Sequence, residues 1–304
     1  MGHLYVSDLD GTLLHRNVSV SERTRRQLRE LLEQGLLFTI ATARSIVSIR
    51  EILEGIPISL PVVGGNGAYL SDFKTGEHIL FRDISSTLSQ EIFQYLDHND
   101  FPYFVSAVTN GEDRLFFDRI SNEAGSLFLR ERFRIGDPRL RYCANMGVKD
   151  LGKIITISVP ERPEVCLSIK NRLEAILPDQ LEIHIYEDAK PEGWHWMSIH
   201  DKRATKANGI STIMEDYGFS PMELTVFGDN TNDLSMFQMA PRSVAVENAR
   251  SQVKAFATHV IGHHESDSVI NFIQEDWNKN QKGQRKASST LARKYFSIYF
   301  HNLI

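Results

Sequence analysis

The chain has 304 residues, 41% hydrophobic and 24% charged, with a formal net charge of −5. That is a globular composition, long enough for two domains, and it excludes a disordered chain. The net negative charge offers no general attraction to nucleic acid or an anionic membrane, and no stretch approaches the ~20 apolar residues of a bilayer span, so neither partner is expected.

Leu4, Tyr5 and Val6 predict a short buried strand, followed at once by Asp8, Asp10, Gly11 and Thr12. Read alone, Asp-x-Asp-Gly is also a surface turn. Ser19 and Glu22 stand at capping-box spacing before the apolar face Leu28, Leu31 and Leu32, and Gly35 ends that helix. "LLFTIATAR" (36–44) predicts a strand ending in Thr42, and "LPVVGGNGAYL" (60–70) a third strand running into a Gly-rich turn. Strand–helix–strand with short connections argues for a parallel sheet flanked by helices.

The middle of the chain changes character. A helix is predicted over 86–98, then a hairpin at Asn110-Gly111 between "YFVSAVT" and "RLFFD". A strand over 153–159, a helix over 161–177 and strands over 181–188 and 194–200 follow. We therefore expect an α+β module at 84–190, inserted into an α/β domain made of 1–83 and 191–275. The α/β rhythm resumes with "RATKANGISTIMEDYG", the strand "ELTVFGD", the helix "NDLSMFQMA" and the strand "SVAVENA". A helix and strand in "VKAFATHVIG" and a last helix in "SVINFIQE" complete it. A basic extension, 276–304, closes the chain; from 278 onward Lys279, Lys282, Arg285, Lys286, Arg293 and Lys294 meet no acid. Leu291, Tyr295, Ile298 and Tyr299 share one helical face there, which reads first as a polar linker with a docking helix and second as a membrane-surface or partner-binding tail. Cys143 and Cys166 have no metal or redox spacing, and the first strand begins without a signal peptide, so a reduced, cytoplasmic protein is expected.

Asp8 and Asp10, Thr42, Asp229 and, through the following turn, Asp233 all fall at the carboxyl ends of predicted parallel strands. In open α/β sheets that is where ligands bind. Carboxylates gathered in one crevice repel one another unless a cation sits among them, and an all-oxygen donor set suits Mg²⁺. Such an ion also binds phosphate oxygens, and the Thr42 hydroxyl, the Asn232 amide and the Lys206 ammonium are suitable phosphate donors.

The chain resembles the haloacid dehalogenase-like (HAD) superfamily, and within it the Cof-type, sugar-phosphatase-like hydrolases. "DLDGTLL", "IATAR", the lysine of "DKRATKANGI" and "GDNTNDLSMF" look like that family's four ordered motifs, and "GGNGAYL" like its Asn-Gly-Ala turn. Any one motif is common; four in this order and spacing are not. The resemblance covers 4–275 and implies a Rossmann-like parallel-sheet core with an inserted α/β cap domain. It implies Asp8 as the nucleophile that accepts the phosphoryl group and Asp10 as the general acid/base. Metal ligation would fall to Asp8, Asp10, Asp229 and Asp233, with Asp10 acting through its backbone carbonyl and Asp233 supporting the shell. Phosphate contacts would fall to Leu9, Thr42, Ala43, Lys206 and Asn232. The implied activity is a Mg²⁺-dependent phosphatase of small phosphorylated metabolites, sugar phosphates foremost. A phosphomutase and a non-catalytic phospho-ligand sensor are the competing readings. Asp10 favours a phosphatase or mutase, because the family's ion-pumping ATPases and dehalogenases lack that second acid.

The sequence also departs from the pattern. Ala43 and Ala207 stand where glycines are frequent, Ser198 where a Glu often lies, and "ESDSV" replaces Glu-Asp-Gly-Val. These departures bear on the substrate more than on the reaction. Trp194, His195 and Trp196 are expected to pack a junction, and His263 and His264 to be surface or loop residues. Asn66 and Asn248 suit a local backbone role at least as well as a substrate contact, and Arg44 either approaches phosphate or pairs with an acid.

Overall fold

A computed structural model describes residues 3–187 and 191–281. The extension from 282 onward, with Leu291, Tyr295, Ile298 and Tyr299, lies outside the described residues.

The apolar run near the start forms β1 (Leu4–Ser7), wholly buried. The chain leaves it through one wide turn, Leu9–Leu13, closed by the Leu14 N–H on the Leu9 carbonyl at 2.9 Å. Helix α1 (Glu22–Glu33) starts at Ser21, whose hydroxyl accepts the Thr24 N–H at 2.9 Å, and not at Ser19 as the spacing suggested. Ser19 is held back in the preceding turn, where its carbonyl takes the His15 N–H and its hydroxyl bonds Asn17. Next come β2 (Leu37–Ile40), parallel to β1, and α2 (Ile46–Ile52), a short helix the pattern did not announce. The expected third parallel strand is reduced to one bridge, Ala41 to Val63. From there β3 (Val62–Gly64), β4 (Tyr69–Ser71) and β5 (His78–Phe81) make their own antiparallel sheet.

The middle contains α3 (Ser86–His98) and the hairpin of β6 (Phe104–Thr109) and β7 (Glu112–Phe117). Asn110 and Gly111 both have positive φ, 52° and 79°, as a two-residue type I′ turn demands. After α4 (Glu123–Arg134) and β8 (Leu140–Tyr142), neither of them expected, come β9 (Lys153–Glu161), α5 (Pro163–Ile176), β10 (Leu181–Glu187) and β11 (His195–Asp201). The six strands form one sheet, ordered β10-β11-β9-β6-β7-β8. One face buries Ile157, Met197 and Ile199 against Ile92 of α3 and Ile169 of α5. Because β11 pairs with β9 and β10, this sheet runs on to Asp201, one strand past the expected return at 191.

The first sheet is then completed by α6 (Lys206–Tyr217), ending on Gly218 at φ +68°, β12 (Leu224–Gly228), α7 (Leu234–Met239), β13 (Arg242–Ala245), α8 (Ser251–Phe256) and β14 (His259–Val260). A final helix, α9, spans 268–281. Asp276 ties α9 to the sheet by accepting the Tyr5 hydroxyl at 2.6 Å and two Arg242 N–H groups at 2.8 and 2.9 Å. The five parallel strands lie in the order β14-β13-β12-β1-β2. This is the expected class: a Rossmann-like parallel core with an additional α+β portion. The chain leaves β1 in one direction and β12 in the other, so a crevice opens at their carboxyl ends. Among the described residues no helix is long and apolar enough to cross a membrane, and Cys143 and Cys166 are unpaired.

Candidate active site

Strand pairing explains how residues far apart in sequence meet. β1 lies beside β12, and the Asp8 N–H extends their ladder to the Phe227 carbonyl at 2.9 Å. Asp8 therefore emerges next to Asp229, one residue beyond Gly228. Asp8, Asp229 and Asp233 offer carboxylate oxygens all within 4.8 Å of one another. Into this group the first turn of α6 inserts Lys206, its side chain fully buried. The ammonium donates to Asp8 Oδ1 at 2.7 Å and to Asp233 Oδ1 at 2.6 Å.

The electrostatics follow from that packing. Burial opposes the Lys206 charge, but Asp233 and Asp8 outweigh it and hold the ammonium well above the usual lysine range. Asp8 is displaced upward: burial, then Asp233, Asp229 and Asp10, work against its charge, and Lys206 works for it. Burial and Asp233 push Asp229 up to about 7, against the Thr12 hydroxyl, which donates to its Oδ1 at 3.0 Å. Three crowded carboxylates face one ammonium, and all the donors are hard oxygens, so the set fits a divalent cation such as Mg²⁺. The fit is best for Asp8 and Asp229. Asp233 spends Oδ1 on Lys206, and its Oδ2 accepts the Asp229 and Asn230 N–H groups at 2.8 and 2.9 Å. Its carboxylate thus braces the lysine and the loop. Gly11 is needed beside this group: it has φ +72°, and an added Cβ would stand 2.5 Å from Asp229 Oδ2.

The Asp10 carboxylate is not part of this group of three acids. Arg44 grips it with two bonds, Nε to Oδ2 at 2.7 Å and Nη2 to Oδ1 at 2.6 Å, and is itself steadied by Ser48 Oγ at 3.1 Å. Of the two readings open for Arg44, pairing with an acid is the one realised. Thr42 is fully buried beyond β2, and its Oγ1 accepts the Arg44 N–H at 3.3 Å. Ala43 beside it is exposed, whereas the Leu9 side chain is buried, leaving Leu9 only its backbone for a ligand. Asn232 donates from Nδ2 to Asn66 Oδ1 at 3.0 Å.

Other expectations resolve locally. Asn248 does the backbone work expected of it, donating to the Gly11 carbonyl at 2.7 Å and accepting the His264 N–H. His264 is not a surface residue: it is buried, with Nδ1 2.7 Å from the Leu14 carbonyl. Trp194 lies under the Arg162 guanidinium at 4.3 Å, and Trp196 packs on Phe104 and Phe128. Sequence reasoning missed Thr12 as the partner of Asp229, and missed His200, buried with Nε2 3.4 Å from Asn66 Nδ2. The adjacency of Thr12 to the Asp-x-Asp turn was a usable signal; for His200 there was none. A separate hollow of about 230 Å³, lined by Asp97, Asp100, Phe101, Tyr103, Asp118 and Arg119, among others, shares no residue with this group.

The sequence pattern of the haloacid dehalogenase-like hydrolases matches residues 5–273. The chain belongs to that family. Two relatives extend this family assignment. A 5-amino-6-(5-phospho-D-ribitylamino)uracil phosphatase of Bacillus subtilis, YwtE, is 24% identical over 88% of this chain and 96% of its own. The putative phosphatase MG265 of Mycoplasma genitalium is 28% identical over 88% and 95%. The solved structure of the HAD subclass IIB sugar phosphatase BT4131 superposes with a TM-score of 0.72 at 21% identity, over 90% of this chain and 98% of that one, and shares the fold. This HAD-family protein is an enzyme, a phosphatase.

Proposed function

We propose that the enzyme is a Mg²⁺-dependent phosphatase of small phosphorylated metabolites, sugar phosphates foremost, and that it works through an aspartyl-phosphate on Asp8. The observation that carries this is the buried Lys206 ammonium, shared between Asp8 and Asp233 beside Asp229. A carboxylate attacks phosphorus only when the dianion's charge is masked; Lys206 sets one positive charge beside Asp8, and the surplus of carboxylates calls for a cation to supply the rest. Mg²⁺, held by Asp8, Asp229 and the Asp10 carbonyl, would supply further charge neutralisation and template the phosphate.

The chain's own residues do the rest. An Asp8 oxygen attacks phosphorus as the ester oxygen leaves, and Asp10, protonated and released from the grip of Arg44, gives that oxygen its proton. Asp10 then takes a proton from the water that attacks phosphorus, releasing inorganic phosphate and restoring Asp8. Lys206 has a third N–H free of Asp8 and Asp233 to hold a phosphate oxygen. Thr42, Asn232 and the backbone at Leu9 and Ala43 complete the cradle. Asp233 serves this site by positioning Lys206. The six-stranded sheet and its helices, reaching Asp201, are proposed as the cap that selects the metabolite. The names of the sugar phosphatase BT4131 and of YwtE support a phosphorylated polyol or sugar. A panel of phosphorylated metabolites assayed for inorganic phosphate in the presence of Mg²⁺ tests the reading. Steady release is expected; isomerised phosphosugar with little free phosphate, or binding without turnover, would overturn it.

A further inference from the structure

The turn Gly65–Gly67 joins parts of the candidate site that are far apart in sequence. The Asn66 N–H donates to the Thr42 carbonyl at 2.9 Å, and the Gly65 N–H to that of Arg44 at 3.1 Å. Gly67, at φ +99°, lies so close to the start of α6 that an added Cβ would run into the Thr205 carbonyl, one residue before Lys206. Asn66 itself stands at φ +56°, and its side chain points both ways: Oδ1 accepts from Asn232, and Nδ2 lies 3.4 Å from His200 Nε2.

His200 is a buried ring on β11. Among the described residues its Nδ1 has one partner, an acceptor, the Ile155 carbonyl at 3.2 Å, so that nitrogen carries the proton. Burial, with His184 nearby, pushes its pKa down to about 3, so the ring stays neutral and Nε2 is an acceptor. Thr156 Oγ1, also 3.4 Å from Nε2, has its own acceptor in the Ile199 carbonyl at 3.2 Å, which leaves Asn66 to supply the proton. Each amide end is thereby fixed in turn. Asn66 presents Nδ2 to the ring and hence Oδ1 to Asn232, and Asn232 must turn Nδ2 toward Asn66. Nδ2 has two hydrogens, and among the described residues only one has a partner.

We propose that His200 is a positioning residue: acting through Asn66, it orients the Asn232 amide so that its second N–H meets a phosphate oxygen. This rests on the phosphatase reading and deepens it, since a residue of the six-stranded sheet then sets a phosphate contact at the end of the parallel one. Removing the acceptor leaves Asn66 Nδ2 unanchored and the amide free to flip; its Nδ2 then meets Asn232 Nδ2, donor against donor, and Asn232 must turn its Oδ1 there instead and withdraw its N–H from the phosphate.

The test measures binding of inorganic phosphate to the Mg²⁺-loaded protein by calorimetry, alongside kcat and KM for an aryl phosphate. His200→Phe removes the acceptor and His200→Gln keeps one. Asn66→Gly breaks the link without touching the buried ring and tolerates the positive φ. Residues coupled in one hydrogen-bond network are expected to shift phosphate affinity roughly 5-fold or more. His200→Phe and Asn66→Gly should therefore each weaken phosphate by that amount, and His200→Gln should recover most of the loss. In an Asn232→Ala background, His200→Phe and Asn66→Gly should change phosphate affinity less than about twofold, the range of non-interacting sites. The same loss in both backgrounds, or a folded His200→Phe or Asn66→Gly protein that binds phosphate like wild type, would overturn the proposal. Should His200→Phe not fold, Asn66→Gly alone decides. A wild-type protein that binds phosphate with this coupling yet turns over no ester would sink the phosphatase reading and leave the relay standing.

Discussion

Replacing Lys206 with Met tests the charge balance of the site, because it removes the ammonium while roughly preserving side-chain volume. Each of its two ion pairs, at 2.7 and 2.6 Å, is worth ~6 kcal/mol of attraction at an effective dielectric of 20, before the cost of burying the charges. Breaking a buried pair from one side costs roughly 3–5 kcal/mol, since the remaining charges are stranded. The carboxylates can escape part of that by taking up protons, so the expected loss is about 3 kcal/mol at pH 8 in chelator and less at pH 5.5. For a chain of 304 residues that is a fall of about 5 °C in Tm. Turnover of an aryl phosphate should fall at least ~100-fold in kcat, as when one preorganised donor is removed from a site of developing charge. Thermal melts at the two pH values with chelator, and steady-state rates with Mg²⁺, are the assays. A Lys206→Met protein that melts with wild type at pH 8 would refute the claim that this ammonium is the counter-charge of the acidic group.

Two more outcomes follow from the same geometry. Asp229 has its pKa raised to about 7, so between the ordinary carboxylate range and pH 7 the folded state holds a proton that the unfolded state has lost. The metal-free protein therefore loses stability as pH rises through that window, and a cation that binds the ionised form restores it. Mg²⁺ should raise Tm more at pH 8 than at pH 5.5 in paired melts; an equal rise, or a larger one at pH 5.5, would contradict the assignment of Asp229 as a ligand. Gly11→Ala puts a Cβ 2.5 Å from Asp229 Oδ2 at a φ of +72°, so Mg²⁺ affinity by calorimetry should drop about 10-fold or more while β1 and β12 stay paired; unchanged affinity would show that the turn has room to spare.

Local signals carried the sequence reading furthest where one element was enough to fix the answer. Helix α3 falls on the expected 86–98, and the Asn110-Gly111 hairpin follows directly from turn chemistry. Asp8, Thr42 and Asp229 could be placed because each ends a short apolar run, and parallel packing brings such ends together. What could not be read depends on partners distant in the chain. Ser19 and Ser21 are equally good caps locally, and only the turn bonds of Ser19 decide between them. β11 belongs to the antiparallel sheet because of register with β9 and β10, while its alternation alone fits either sheet. α4 was hidden by Gly125 and by aromatic residues spaced to pack against β6 and β11, with Phe128 against Phe104 and Trp196. The burial of Lys206, the grip of Arg44 on Asp10 and the Asn232–Asn66–His200 chain are all contacts between elements, invisible to periodicity.

The division of labour between the two aspartates of the opening turn is the central claim, and trapping the covalent intermediate tests it most directly. In Asp10→Asn enzyme with Mg²⁺ bound, an aryl phosphate with an electron-poor ring needs no proton on its leaving phenolate, but the next step still lacks the base that activates water. Rapid mixing should release a burst of phenolate of no more than one equivalent per active site, and mass spectrometry of the quenched protein should locate a phosphoryl group on Asp8. Steady turnover at the wild-type rate with no covalent phosphate on Asp8, or a burst that survives Asp8→Asn, would contradict the account.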